Sequence, residues 1–336
     1  MTAHATIVSG ALSELDRCLQ DRGIDRERFG EPHRVPGSAW HTPHLEIPLV
    51  SFVSLYEAGA AVGMSDVGWT TGGTFDLLYL GDIGRSILTA STLGAALRTF
   101  AGFTELIQSD SEVNLTVEDD RATLSYRIFN PDIWPRRQDA EFTLSIFYGL
   151  IRRAVGADWV PEVLSFEHDP NRAEQSYCET SRVECRFGQL TNALTFPAGL
   201  LDRPMPAANL GLHRRCTTAL TDRLHHQRRL QPVSRRVTAM IFSRLGGEAT
   251  DQVSIARTLG LSRRTLHRRL VDESTTFSEL LERCRTRVAC HELSHSSKPL
   301  SDIALGLGYS DQSAFGRAFR AAAGQTPRQY RTSTQA

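Results

Sequence analysis

The sequence predicts an α+β domain, with helices and a small antiparallel sheet, followed by an all-α domain that contains two helix-turn-helix units. Three observations predict this order. Apolar residues recur at helical spacing in the first hundred residues, an alternating pattern follows over 113–129, and the last hundred residues hold two similar helical segments. With 336 residues, 40% of them hydrophobic and 23% charged, the chain is long enough to bury two cores.

Helices and then strands make up the predicted front domain. Residues 47–63 and 86–107 place apolar side chains three and four positions apart, as amphipathic helices do. Residues 113–129 alternate between apolar and polar on both sides of Glu118-Asp119-Asp120, which predicts a β-hairpin. The other predicted elements are a helix over 137–156, a strand over 163–168 and a pair of strands at 182–187 and 192–197. We expect this domain to span 1–205.

The charge of the chain is divided between its two halves. The formal net charge is zero, but residues 1–206 carry 17 arginines against 28 acidic residues, a charge of −11, and 207–336 carry 21 basic against 10 acidic residues, a charge of +11. This asymmetry indicates a polyanionic partner for the back half. Residues 206–232, rich in arginine and histidine, are predicted to form a basic, partly helical linker, and the all-α domain to span 233–336.

Two segments of the back domain repeat each other, and each has the pattern of a helix-turn-helix. Ile255-Ala256-x-x-Leu259-Gly260-Leu261-Ser262 corresponds to Ile303-Ala304-x-x-Leu307-Gly308-Tyr309-Ser310. Glycine supplies the turn residue in both, and Ser262 and Asp311 are placed to cap the helix that follows. The units are predicted near 251–271 and 300–321.

The second helix of each unit is the candidate DNA reader. Leu266 and Leu270 in the first unit, and Phe315 and Phe319 in the second, form the inward side. The outward residues are Arg263, Arg264, His267 and Arg268 in the first reader and Gln312, Ser313, Gly316 and Arg317 in the second. Arginine can form bidentate hydrogen bonds with guanine edges or bind phosphate, and Gly316 allows close approach of a duplex.

Residues 277–293 predict one long helix between the two units, with Phe277, Leu281, Cys284 and Val288 along one stripe. Such a helix would hold the readers at a fixed separation, so the predicted footprint is two short half-sites about 10 bp apart. A single helix-turn-helix pattern is often only a helical hairpin, and a charged helix face is usually only solvated. Two capped copies, a spacer and a basic charge together favour DNA binding.

The segment from about 233 to 332 resembles the DNA-binding domain of the AraC/XylS family of transcription regulators. The resemblance lies in LSRRTLHRRL (261–270), in residues 303–331 and in the closing residues Gly324, Thr326-Pro327, Tyr330 and Arg331. It implies base contacts at Arg264, His267 and Arg268 in the first reader and at Gln312, Ser313, Gly316 and Arg317 in the second.

The front domain resembles the effector domain of one subgroup of this family, which includes regulators of ornithine and arginine use and mycobacterial regulators of lipid-related operons. The similar segments are VPEVLSFEHDPN (160–171), residues 182–209 and LTASTLGAALRTF (88–100). The resemblance implies a cytoplasmic, sequence-specific transcription regulator, an activator, whose front domain binds a small-molecule effector or dimerises. The partners it implies are double-stranded promoter DNA, RNA polymerase, the effector and a second copy of the chain.

Five residues are candidates for the effector site: Tyr126, Trp134, Arg136, Arg137 and Trp159. Their aromatic rings could wall a cavity between the front helices and the sheet, and the two arginines could hold a carboxylate. The alternative, which we favour, is that these residues complete the packed core and the surface of the domain and bind no ligand.

Metal, cofactor and enzyme functions have little support in the sequence. His41 and His44, and His291 with His295 near Cys290, have spacings a metal could use, but we expect exposed or capping roles and no metal. There is no phosphate-binding loop, dinucleotide fingerprint or nucleophile elbow, so we expect no cofactor and no enzyme activity. The remaining alternative is an architectural or nonspecific nucleic-acid-binding protein whose front domain oligomerises.

The six cysteines are too sparse for a disulfide framework, so we expect free, mostly buried thiols. Cys178 and Cys185 could form a redox pair, although a buried structural role is the favoured interpretation. No stretch of the sequence approaches a membrane span, and the first ten residues lack the pattern of a secretion signal. These observations predict a cytoplasmic protein.

Overall fold

The computed structural model describes residues 5–170, 183–245 and 249–335, and divides the chain into two compact units. The first unit comprises the residues up to 128 and Ile133–His226; the second comprises Phe129–Asp132 and the chain from Gln227 onward. The boundary between His226 and Gln227 lies inside a single helix, Leu210–Leu230, in the region where the sequence predicts a partly helical linker. The domain bounds predicted from the sequence stay a prediction.

The first unit is built from helices and two sheets. A short antiparallel ribbon joins β1 (Thr6–Val8) to β2 (Glu46–Pro48). The helices are α1 (Ser13–Asp21), α2 (Arg26–Gly30), α3 (Leu49–Ala61), α4 (Val67–Thr74), α5 (Asp82–Leu88), α6 (Leu93–Ile107), α7 (Arg137–Val155) and α8 (Leu210–Leu230). The helical pattern at 86–107 therefore belongs to two helices. The chain begins α6 anew because the Thr92 hydroxyl caps it, accepting a hydrogen bond of 3.2 Å from the Ala95 amide.

The larger sheet has five strands in the order β3-β4-β7-β5-β6. They are β3 (Ser111–Glu118), β4 (Arg121–Ile128), β5 (Val163–Ser165), β6 (Glu184–Arg186) and β7 (Asn192–Pro197). The first two form the predicted antiparallel hairpin, with Asp119 at a φ of 53° in its turn. The segments predicted as a pair do not pair with each other: β5 lies between them, antiparallel to β7 and parallel to β6.

The core of the first unit lies where α7 packs on β4 and β7. Leu124 and Leu194 from the sheet and Phe147 from the helix are fully buried. On another side α7 meets α4 at very short range: a Cβ added at Gly72 would lie 2.3 Å from the Phe142 carbonyl oxygen. Glycine is thus required there, since any larger residue would push the two helices apart.

The second unit is all-α, as the sequence predicts. Its helices are α9 (Val233–Arg244), α10 (Gln252–Thr258), α11 (Arg263–Asp272), α12 (Phe277–His295), α13 (Leu300–Gly306), α14 (Gln312–Ala323) and α15 (Pro327–Gln335). Two separate apolar clusters hold these helices together, one along the first half of α12 and the other along its second half. None of the helices in the described ranges combines the length and apolar character needed to cross a membrane.

The expectation of free thiols is wrong for one cysteine. Cys18, Cys216, Cys284 and Cys290 are free, but Cys185 is disulfide-bonded. Cys178, the other member of the redox pair considered above, lies outside the described residues. Spacing alone favoured free thiols because it cannot show which sulfur atoms the fold brings together.

Candidate nucleic-acid interface

Each repeated segment folds as two short helices joined by a turn that a glycine makes. Gly260 and Gly308 have φ values of 68° and 77°, the left-handed conformation that glycine adopts without a Cβ penalty. A side chain then caps each following helix, as the sequence predicts. The Ser262 hydroxyl accepts from the Thr265 amide at 3.1 Å, and the Asp311 carboxylate accepts from the Ala314 amide at 2.7 Å. Glycine and cap together set the direction in which each reader helix leaves its turn.

The first reader is α11, and its outward face is basic. Leu266 and Leu270 are fully buried in the cluster formed with α9 and α10. The four predicted contact residues, Arg263, Arg264, His267 and Arg268, are all exposed. The Arg263 side chain is also held by the preceding helix, α10, because its Nε donates a hydrogen bond of 3.3 Å to the Gln252 side-chain oxygen.

The second reader is α14, and its outward face is less charged. Phe315 and Phe319 are buried, whereas Gln312, Ser313 and Arg317 are exposed. Gly316 is partly exposed, and a Cβ added there would meet no atom within 4 Å in the part of the chain that the structure describes. The fold therefore does not require glycine at this position, and packing within the protein gives no reason for it.

The helix α12 packs beneath both readers. Its first half contributes Phe277, Leu280 and Cys284 to the cluster under the first reader. Its second half contributes Ala289 and Leu293 to the cluster under the second reader. Val288, at the change from one half to the other, packs against both clusters. The predicted stripe is therefore partly corrected: Leu281 and Val288 are only half-buried, and Leu280 is the buried residue on that turn.

Local electrostatics at the N-terminus of the first reader favour an anion. The first turn of α11 contains no acidic residue, and Arg263 and Arg264 are its first two residues. The positive charges of these arginines add to the positive end of the helix dipole. An anion from outside the protein would therefore be stabilised at this end of the helix. At the second reader the capping carboxylate of Asp311 already neutralises part of the positive charge at the start of the helix. The hydrogen bond from the Ala314 amide lowers the pKa of Asp311.

Two further residues support the readers, and the sequence analysis did not identify them. Glu273, just after α11, accepts hydrogen bonds from the Val233 and Ser234 amides at 2.7 and 2.8 Å and so caps α9. Burial raises the pKa of Glu273, but the hydrogen bonds from Ser234 and Val233 outweigh that effect and the net pKa is lowered. The other residue is Arg285, whose NH2 group donates to the Gly308 carbonyl oxygen at 3.1 Å. No local spacing signals these contacts, which join residues 23 or more positions apart in the chain.

In the first unit, Tyr126 is buried in a polar cluster. Its hydroxyl donates to the Asp139 carboxylate at 2.7 Å and accepts from the Gln108 amide nitrogen at 2.7 Å. Burial raises the pKa of Asp139 to about 7, although the Tyr126 hydrogen bond and the Arg136 charge oppose the shift. The other carboxylate oxygen of Asp139 is buried and has no hydrogen-bond partner among the residues that the structure describes.

The other candidate effector residues contact their own unit. Arg136 is 7% exposed, donates to the Ile128 carbonyl oxygen at 3.0 Å and forms an ion pair with Glu167. The remaining three residues are placed as follows: Arg137 forms an ion pair with Glu141 at 3.3 Å, Trp159 packs edge-on against Phe196, and the half-buried Trp134 ring lies 5.8 Å from the Arg136 guanidinium. These contacts agree with the interpretation that the residues complete the core and surface of the domain. The effector-site assignment stays a prediction.

The histidines singled out as metal candidates do not assemble a ligand set. The His291 and His295 rings lie 4.8 Å apart, and the His295 Nδ1 atom contacts the His291 carbonyl oxygen. Over the ranges that the structure describes, no three His, Cys, Asp or Glu side chains are grouped so that they could hold a metal ion.

Family models match both parts of the chain. Residues 16–205 match the arabinose-binding N-terminal domain of AraC transcription regulators, and residues 255–333 match a helix-turn-helix domain. The first match alone covers more than half of the chain, and the second contains the first reader, the spacer helix and the second reader.

Individual relatives agree with these matches. The chain is 28% identical to the ornithine utilization regulator of Pseudomonas aeruginosa, over 98% of this chain and 97% of that protein. It is also 28% identical to the transcriptional regulator VirS of Mycobacterium tuberculosis, over 93% of this chain and 92% of that protein. The crystal structure of the regulator CdpR from Pseudomonas aeruginosa aligns with 95% of this chain and 96% of its own, at 24% identity and a TM-score of 0.47. With its two capped reader helices and the matches to both domains, the chain belongs to the AraC family of transcription regulators and is a DNA-binding regulator.

Proposed function

We propose that the protein is a transcription activator that binds double-stranded promoter DNA at two half-sites about 10 bp apart, one read by α11 and the other by α14. The predicted contact residues are those on the exposed faces of the two readers: Arg263, Arg264, His267, Arg268, Gln312, Ser313, Gly316 and Arg317. The protein acts in the cytoplasm, at the nucleoid when bound to DNA.

The observation that carries this proposal is the single helix α12, which is packed into the clusters beneath both readers. Two readers on separate flexible supports would bind half-sites at many spacings. Readers fixed to one helix favour one spacing, because the second contact then forms without a further loss of orientational freedom. This distinguishes a reader of paired sites from a protein that only coats DNA through its positive charge.

The test is in vitro selection of random duplexes with the full chain, followed by competition at two salt concentrations. We expect recovery of a paired motif with a fixed spacing. A steep salt dependence without any recovered motif would contradict the proposal and support an architectural, nonspecific nucleic-acid-binding protein instead.

We further propose that the first unit binds a small-molecule effector, or dimerises, and thereby changes the DNA affinity of the chain. The name of one relative makes ornithine the first compound to test. An effector must bind the two states of the protein with different affinities, so it should change the affinity for the selected operator. A compound that raises the melting temperature of the chain but leaves operator affinity unchanged would be a ligand without this role.

The sign of regulation is tested by transcription in vitro with purified RNA polymerase. With the selected operator placed upstream of a weak promoter, an activator that contacts polymerase increases the amount of transcript. A decrease on the same template would identify a repressor.

A further inference from the structure

The side chain of Arg285 connects the spacer helix to the turn of the second reader. Arg285 directly follows Cys284, which is buried in the first cluster, and so stands on the part of α12 that is fixed to the first reader. Its guanidinium lies 4.8 Å from the centre of the Tyr309 ring, a cation–π distance, and one of its nitrogens donates to the Gly308 carbonyl oxygen at 3.1 Å. The two contacts together restrain a rigid, planar group.

The contacted turn leads directly into the second reader. Tyr309 packs on the second cluster, and its ring centre lies 5.6 Å from that of Phe315 in α14. Phe315 is 1% exposed and immediately precedes Gly316 and Arg317, two of the predicted contact residues. A displacement of the Tyr309 ring would therefore be passed to the outward face of the reader, since a fully buried ring has little space to move separately.

The turn is also shaped to receive the arginine. A Cβ added at Gly308 would lie 3.0 Å from the Arg285 NH2 nitrogen, so glycine here serves both the left-handed backbone and the close approach of the side chain. The corresponding residues of the first unit are Gly260 and Leu261. Leu261 offers no aromatic face to a cation, and a Cβ at Gly260 would meet nothing within 4 Å. The arrangement is thus a property of the second unit alone.

From this geometry we infer that Arg285 is a positioning residue: it fixes the second reader relative to the spacer helix and thereby sets the half-site spacing that the protein accepts. Arg285 acts through Gly308 and Tyr309 and reads no base itself. The inference rests on the proposed function, because spacing has a meaning only if both readers engage DNA.

The test measures binding of the full chain to the selected operator and to operators one base pair shorter and one longer. The variants are Arg285→Ala, Tyr309→Leu, which introduces the residue of the first unit, and Arg283→Ala as the control. Arg283 is exposed on the same helix, so this control removes one charge from α12 without the turn contact. Wild type should show a clear optimum of spacing.

We expect Arg285→Ala to weaken binding at the optimal spacing about fivefold, the order expected for losing one cation–π contact and one hydrogen bond. Tyr309→Leu keeps the Gly308 carbonyl acceptor and should weaken binding by up to that amount. The decisive result is the shape of the profile: both variants should lose less affinity than wild type when the spacing is changed. Arg283→Ala should keep the wild-type profile.

Two results would overturn the inference, and they are distinguishable from failure of the proposed function. A profile parallel to that of wild type in Arg285→Ala and Tyr309→Leu would show that Arg285 does not set the spacing. If Arg285→Ala does not fold, Tyr309→Leu decides alone, because its ring is only half-buried and leucine is already accepted in the first unit. A wild-type chain that selects no paired motif would remove the proposed function, and this inference with it.

Discussion

Gly316 lies in the interior of α14, where glycine is costly unless something outside the helix requires it. A Cβ there meets no atom of the described residues within 4 Å, so Gly316→Ala should stabilise the fold by about 0.5–1 kcal/mol through helix propensity. If a duplex approaches this point closely, the same methyl group should weaken operator binding. Thermal unfolding and operator affinity are measured on one preparation.

The matched control for that variant is Gly102→Ala. Gly102 is likewise exposed within a helix, α6, and a Cβ there also meets nothing within 4 Å. The control should raise the melting temperature and leave DNA binding unchanged. Equal affinity of Gly316→Ala and wild type for the operator would show that the duplex does not approach α14 at this residue.

Arg264 and Arg317 are two of the arginines that we expect to recognise bases, one in each reader. Replacing either with alanine should cost about 1–3 kcal/mol of operator binding and relax the sequence preference at one position of its half-site. Competition against operators with single base changes measures this. Arg320→Ala, which removes an exposed arginine from α14 outside the predicted contact set, is the control. A loss that is the same on every sequence would make the residue a phosphate contact instead.

At the scale of elements, the cap that Glu273 provides for α9 gives a stability that depends on pH. Because the folded pKa of Glu273 is lowered below its usual 4.5, the charged carboxylate stabilises the fold above about that pH. The contribution is lost as the pH falls through the folded pKa. Glu273→Gln should lower the free energy of unfolding by about 1 kcal/mol at pH 7, the order of a helix cap, and the difference should shrink as the pH falls below 4.5.

Chemical unfolding of the full chain at a series of pH values checks this prediction. Glu282→Gln, which neutralises an exposed glutamate on α12, is the matched control and should leave the unfolding curve close to that of wild type. A difference between Glu273→Gln and wild type that stays constant well below pH 4.5, into the range where carboxyl groups are protonated, would show that the charge of Glu273 does not contribute.

Asp139, at the start of α7, should give the opposite pH dependence. Its pKa is raised by burial from 3.8 to about 7, so between these values the folded protein keeps a proton that the unfolded chain has released. The contribution of Asp139 to stability is therefore greatest at low pH and falls as the pH rises toward 7, by at most about 1.4 kcal/mol per pH unit. Asp139→Asn, which cannot ionise, should remove this slope while keeping an oxygen for the Tyr126 hydroxyl.

The quantity to compare is the change of unfolding free energy with pH, because the added amide hydrogens of asparagine also alter the absolute stability. Asp158→Asn, at an exposed carboxyl group, serves as the control and should retain the wild-type slope. Parallel pH profiles for wild type and Asp139→Asn would show that the pKa of this carboxyl group is the same in the folded and the unfolded protein.

At the scale of the whole molecule, the sequence predicts those structural features that depend on residues close together in the chain. The caps at Ser262 and Asp311 and the left-handed Gly260 and Gly308 follow from short motifs whose partners lie within a few residues. The hairpin at Asp119 is local in the same way. These features allow the two reader helices to be placed on the sequence to within a turn.

The features that escape prediction are pairings across the fold. The parallel partnership of β5 with β6, the burial of Tyr126 against Asp139 and the reach of Arg285 to the turn of the second reader all join segments that sequence spacing does not link. Alternation predicts that a segment is a strand but leaves its neighbour open. The disulfide at Cys185 is unpredicted for the same reason.

The charge division of the chain predicts how the whole protein responds to salt. Its net charge is zero, yet counterion release depends on the phosphates that the basic surface neutralises and does not depend on the average charge. We expect operator affinity to fall steeply with salt, with a slope of about −5 in a log–log plot if about six phosphates are contacted. Affinity measured over a fivefold range of salt concentration gives this slope.

Charge removal then locates the surface responsible. Arg263→Gln with Arg268→Gln removes two exposed charges from α11 and should make the slope shallower by about 2 if both contact phosphate. Arg85→Gln, which removes an exposed charge from α5 in the first unit, should leave the slope unchanged. If the Arg85 variant changed the slope as much as the reader variants do, the duplex would also be held by the acidic half of the chain. Because repulsion between that half and a polyanion opposes such binding, an unchanged slope is the result that the charge division favours.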